Sequence, residues 1–208
     1  MGDAPTGAGP EGTGTRSGTG SGLRGRVALV PGAAAGAGAY LLGYLITYVT
    51  QSGAVRDRLS GVNFLASLFG GDPVAAWQAV GWYFYNAHFV ATLSPSLGGT
   101  RATNFLSASD ANLAYLYLVP PAALLLAGAA AAALHGADAP TDGAVAALGV
   151  VPAYFLLAVV GAFAFAYGVG DAGSVHPDYV TAALLAGVLY PAVFGAAGGA
   201  VGALARSR

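Results

Sequence analysis

The segment AVAALGVVPAYFLLAVVGAFAFAYG, residues 144–168, contains no Asp, Glu, Lys or Arg. As an α-helix it would be about 37 Å long, enough to cross the roughly 30 Å hydrocarbon layer of a bilayer. Three further runs, residues 27–50, 113–134 and 179–205, are equally free of charged side chains and of similar length. Hydrocarbon offers the backbone no hydrogen-bond partners, so each such run must satisfy its own amides as a helix. The expected fold is an all-α integral membrane protein with four transmembrane helices.

Composition agrees. The chain of 208 residues is 56% hydrophobic and 8% charged, and its mean hydropathy is +0.64. A soluble domain carries about 25% charged residues to keep its exterior in water. The formal net charge is -1, which excludes the clustered basic face of a nucleic-acid binder. All eight basic residues are arginine, and cysteine is absent. Disulfides, thiolate metal sites and cysteine nucleophiles are therefore excluded. A lysine-free chain rich in Ala, Gly, Val and Asp points to a GC-rich halophilic genome.

Outside the spans the sequence changes character. Residues 1–22 are Gly, Thr, Ser, Pro and Ala with almost no large apolar side chain. They are expected to form a disordered tail, because such a segment cannot bury enough surface to offset its ordering entropy. The membrane domain then covers residues 23–205, and 206–208 form a short basic tail. The connections HGADAPTDG (135–143) and VGDAGSVHPD (169–178) are short and turn-rich, so the last three spans are expected to be antiparallel neighbours. Each span holds a proline (Pro31, Pro120 with Pro121, Pro152 and Pro191), which neighbouring helices tolerate by satisfying the freed carbonyl.

Residues 74–94, VAAWQAVGWYFYNAHFVATLS, are long enough to span but carry Gln78, Asn86, His88 and a Trp82-Tyr83-Phe84-Tyr85 cluster. Trp and Tyr prefer the headgroup level, and buried amide or imidazole groups need partners. An interfacial or re-entrant segment between the first two spans is expected, with a fifth span as the alternative. The preceding stretch, 59–69, has apolar residues at helical spacing and reads as a short amphipathic helix lying on the membrane. With four spans and both termini cytoplasmic, Arg16, Arg24, Arg26, Arg206 and Arg208 lie inside, against Arg56, Arg58 and Arg101 outside. That asymmetry favours four spans in the cell membrane.

Two patterns are candidates for function. Gly32 and Gly36, Gly195 and Gly199, and Gly198 and Gly202 each form a GxxxG pair that lets another helix approach closely. With 33 glycines in the chain, packing among the protein's own helices is the expected use, and a dimerisation seam the alternative. Tyr40, Tyr44 and Tyr48 form a stripe on the first span, which with Asn86 and His88 could line a polar path. Packing explains the same stripe.

The four spans hold no ionisable carboxylate or basic residue, which argues against a proton- or sodium-coupled transporter. His88, Asp110, Asp171, His176 and Asp178 would share the outer face, and could hold a metal or act as acid and base. Capping by Asp110 and Asp178 and turn chemistry at His176-Pro177 account for the same residues. His135, Asp138 and Asp142 share one loop on the opposite face. Phosphate-loop, dinucleotide, HExxH and GxSxG motifs are missing, so no cofactor and no catalytic residue is assigned.

The stretch GWYFYNAHFV (81–90), after a first span and before three Pro- and Ala-rich ones, resembles uncharacterised small multi-pass membrane proteins of halophilic archaea. The resemblance covers about residues 27–205 and implies no activity. The expected role is a non-enzymatic accessory or helix-packing subunit in contact with the lipid bilayer and with a partner membrane protein or further copies of itself. A passive channel or transporter component is the alternative, and a membrane enzyme using the outer His and Asp residues the third reading.

Overall fold

The computed structural model describes residues 29–68, 70–108 and 112–207. The expected disordered tail, the first two residues of the first span and Asp110 lie outside the described residues. Among those described, four helices are long and apolar enough to cross a membrane, spanning Leu29–Leu68, Ala114–His135, Pro140–Ala164 and Tyr179–Arg206.

The first helix, α1 (Leu29–Leu68), has 40 residues and is about 60 Å long, twice what the hydrocarbon layer requires. The stretch 59–69, expected as a separate surface helix, is its continuation. Arg56, Asp57 and Arg58 interrupt the hydropathy but not the helix, since no proline falls after Pro31. Gln51, Val55 and Leu59 recur every four residues on the buried side of this extension. They continue the stripe begun by Gly32, Gly36, Ala39, Tyr40, Gly43 and Thr47.

The chain then doubles back into α2 (Ala76–Asn86), whose 11 residues give about 16 Å, too short to span. The entry of the 72–92 segment meets the end of the third span, and its exit meets the adjoining start of the fourth. On entry, Tyr167 donates its hydroxyl proton to the Asp72 carbonyl, Gln78 Nε2 lies 2.9 Å from the Ala166 carbonyl, and Trp82 Nε1 lies 2.8 Å from that of Phe165. On exit, the Asp178 amide donates to the Ala91 carbonyl at 2.9 Å. Between them the segment reaches inward to Ala158 and Tyr154. It is re-entrant.

A small antiparallel sheet, unforeseen in the sequence, caps this end. The hairpin β1 (Thr92–Ser96) and β2 (Gly99–Thr103) turns at Gly98, whose φ of 90° suits glycine. β3 (Tyr167–Gly168) and β4 (Ser174–Pro177) join the last two spans, and the strand order is β2-β1-β4-β3. The third span ends at Ala164 rather than Gly168 because Tyr167 and Gly168 enter this sheet. At the opposite end, α3 (Val119–His135) closes on Gly136 with φ 70°. The following α4 (Pro140–Ala147) begins on its proline, which needs no amide hydrogen in a first turn.

The prolines leave a consistent mark. A 3-10 turn, Ala114–Leu118, precedes Pro120 and Pro121. Another, Leu148–Val150, separates α4 from α5 (Val151–Ala164) before Pro152. The last span begins as α6 (Tyr179–Thr181), widens to a π-helix over Ala182–Leu189, and resumes as α7 (Tyr190–Arg206) around Pro191. A proline lacks the amide proton and its ring pushes on the carbonyl four residues earlier. Those carbonyls, on Leu116, Tyr117, Leu148 and Gly187, all fall within the irregular turns.

Candidate functional site

Glycine contacts join the spans. A Cβ on Gly32 would stand 2.6 Å from the Gly149 carbonyl carbon, and one on Gly36 would overlap the Val150 carbonyl oxygen. In the last span, Gly198 abuts the Leu125 backbone and Gly199 that of Gly143, Gly202 faces Ala129, and Gly195 faces Ala147 while its carbonyl abuts Gly128. All six glycines of the GxxxG pairs therefore lie where one helix of this chain meets another. Backbone contact of this kind is the usual way to pack spans when lipid is as apolar as the side chains.

The tyrosine stripe leads to a buried cluster between α1, α2 and α5. Tyr40 is 5% exposed, and its hydroxyl is 3.1 Å from that of Tyr85. Tyr85 donates to the Ala158 carbonyl, so Tyr40 is the donor to Tyr85. Gly161 makes this pair possible, since a Cβ there would overlap the Tyr40 hydroxyl and stand 2.9 Å from that of Tyr85. Tyr44 donates to the Trp77 carbonyl at 3.0 Å and stacks on Phe165 at 5.2 Å. Tyr48, further out, lies 3.5 Å from the Arg56 guanidinium.

His88 is fully buried. Its Nδ1 is 2.9 Å from the Phe84 carbonyl and its Nε2 is 2.7 Å from the Tyr154 hydroxyl. A carbonyl only accepts, so Nδ1 carries a proton; full burial disfavours a second, charged proton on the ring, so Nε2 accepts from Tyr154. The imidazole is thus neutral, and both its nitrogens are satisfied.

Asn86 is also buried, but it turns toward the sheet. Its amide nitrogen reaches the Val90 carbonyl at 2.8 Å and Thr92 Oγ1 at 3.2 Å, and its oxygen accepts from the Phe105 amide at 2.7 Å. Asn86 braces the exit of the re-entrant segment. That turn holds Phe89 at φ 59°, with its ring stacked on Tyr117 at 4.7 Å.

Of the five residues suggested for a polar path, the structure brings Tyr40, Tyr44 and His88 into one cluster. Rings, not polar groups, join its two hydrogen-bonded pairs. Phe84 packs edge-on to both Tyr40, at 5.1 Å, and His88, at 4.8 Å. Asn86 faces the hairpin and Tyr48 the outer end of α1. Tyr85, Tyr154 and Gly161 belong to the cluster but carry no distinguishing signal in the sequence. The two tyrosines meet partners on distant segments, and Gly161 is one of many glycines.

The outer titratable residues do not converge. His176 stacks on Tyr179 at 4.2 Å and its Nδ1 is 2.8 Å from the Pro177 carbonyl. Asp178 caps α6 by accepting from the Val180 amide at 3.0 Å and the Thr181 amide at 3.3 Å. Asp171 lies in an exposed 3-10 turn. At the opposite end, His135, Asp138 and Asp142 line an open pocket of about 440 Å³. Among the described residues, no three His, Cys, Asp or Glu side chains are placed to hold a metal ion.

The chain matches no curated protein and no solved structure. Over residues 12–206 it matches a family profile, and it belongs to that family, a family of unknown function (DUF7978).

Proposed function

We propose that this protein is a non-enzymatic accessory subunit of a complex in the cell membrane, with both termini in the cytoplasm. The observation that carries the reading is the outer extension of α1. Beyond the length needed to span, Phe64, Leu65 and Leu68 are 63%, 56% and 62% exposed. Phe64 and Leu68 lie on the side of the helix opposite Val55 and Leu59, with Leu65 beside them. A contiguous apolar stripe projecting from a span is an interaction surface. The GxxxG glycines are taken up between the protein's own helices, so the partner's contact falls on this extension. The cluster's phenols and imidazole are satisfied internally, which weighs against a polar path and toward a structural role. The arginine asymmetry supports the assigned orientation, and the lysine-free composition supports a halophilic origin.

The experiment is affinity purification of the tagged chain from its native membrane in mild detergent. A defined partner should co-purify with wild type. Leu65→Asp combined with Leu68→Asp should remove it while leaving thermal stability unchanged. Retention of the partner by that variant would contradict the placement of the interface. Purification of the wild-type chain alone, with turnover of a substrate, would contradict the accessory role.

A further inference from the structure

The chain has 11 tyrosines, and the hydroxyls of nine of them meet a hydrogen-bonding group. Those of Tyr179 and Tyr190 meet none among the described residues. Tyr179 stands at the sheet-bearing end of the last span, where water and lipid headgroups reach a phenol. Tyr190 lies 11 positions further along the same span, about 15 Å down the helix axis. That depth is within the hydrocarbon layer of roughly 30 Å. Acyl chains offer its hydroxyl nothing to bond with, and a polar group left without a partner there is costly.

Tyr190 also begins a stripe on the membrane-facing side of the span. It is partly exposed, with its ring packed on those of His88 at 5.0 Å and Phe194 at 5.2 Å. Val193, Ala197, Val201 and Leu204 follow at intervals of three or four residues, and all four are exposed. Four intervals over 14 residues average 3.5, the repeat that keeps two helices in contact along a left-handed pair. The small side chain of Ala197 at the centre lets a second backbone come close. The stripe lies opposite Gly195, Gly198, Gly199 and Gly202, which are taken up against α3 and α4 of the same chain.

We propose that this stripe is the contact between two copies of the chain, with the two Tyr190 hydroxyls hydrogen-bonded to each other. Copies inserted in the same direction are related by a two-fold axis along the membrane normal, so residues beside the axis meet their own counterparts at equal depth. A phenol both donates and accepts. Tyr40 and Tyr85 already form such a pair inside the bundle, at 3.1 Å. A second copy therefore satisfies Tyr190 without any other polar group at that depth. The inference depends on the membrane fold and not on the accessory role, whose contact surface is the extension of α1.

The test is cysteine crosslinking of the full chain in its native membrane, which the absence of native cysteine allows. Oxidation of Ala197→Cys should give a product of twice the chain mass. Val160→Cys, at a position 53% exposed on α5, should stay monomeric. No doubled product from Ala197→Cys, an equal yield from Val160→Cys, or a product of another mass would overturn the proposal. The hydrogen bond is tested separately by Tyr190→Phe, which keeps the ring and its packing. Energy transfer between labelled copies in liposomes should show association weakened about fivefold, equivalent to about 1 kcal/mol for one hydrogen bond between helices. Unchanged or tighter association would overturn the pairing of the phenols.

Discussion

The Nε2 of His88, on the re-entrant segment, accepts a hydrogen bond from the Tyr154 hydroxyl of α5 at 2.7 Å, with both side chains fully buried. Removing the donor leaves the imidazole nitrogen with no partner and no access to water. Tyr154→Phe should therefore destabilise the protein by about 1–3 kcal/mol, the cost of a buried unsatisfied acceptor. Tyr48→Phe, further out on α1, should cost less than about 0.5 kcal/mol. Thermal unfolding in detergent measures both. Equal effects would mean that the His88–Tyr154 bond does not hold the segment.

The clearance around Gly161 makes a sharper contrast. A methyl group there would overlap the Tyr40 hydroxyl, so Gly161→Ala should cost about 1–3 kcal/mol through overpacking. A methyl group at Gly38, on α1, would meet nothing within 4 Å. Gly38→Ala should be neutral or stabilise by up to about 1 kcal/mol through helix propensity. The same unfolding assay separates the two, and a destabilising Gly38→Ala would show that α1 packs on something not yet identified.

How these contacts could and could not be foreseen follows from their range in sequence. The apolar runs are local signals and mark the last three spans, and the start of the first, to within a few residues, and the capping role of Asp178 is equally local. The continuation of α1 is hidden because Arg56, Asp57 and Arg58 end the hydropathy without ending the helix. The sheet is hidden because its longer strands have only four or five residues, and Pro95 and Pro177 fall within β1 and β4. Neither shows apolar–polar alternation, and β1 finds β4 only after two spans have been placed. The cluster has the same character. Tyr85 and Ala158 lie 73 positions apart, and nothing in either segment alone selects the other. The glycine pairs are visible as a pattern, but their use depends on which helix they face.

Arg206 anchors the other end of the bundle. Its guanidinium reaches the Ala132 carbonyl at 3.1 Å and the Ala137 carbonyl at 2.5 Å, closing the C-terminal turn of α3, where a cation is favoured. Arg206→Ala should cost about 0.5–1.5 kcal/mol, the net range for hydrogen bonds that solvent can partly replace. Hydrogen exchange should quicken at residues 132–139 and stay unchanged in the sheet. Unchanged exchange at that turn would contradict the clamp.

The fold turns on whether residues 74–94 enter and leave on one face. In the four-span arrangement Asp72 and Thr100 lie on the same side of the membrane, and with a fifth span they lie on opposite sides. Because the chain has no native cysteine, single-cysteine variants at positions 72, 100 and 207 can be labelled in intact cells with a membrane-impermeant thiol reagent. Asp72→Cys and Thr100→Cys should both react, and Ser207→Cys should react only after permeabilisation. Labelling of only one of positions 72 and 100 would contradict the four-span arrangement.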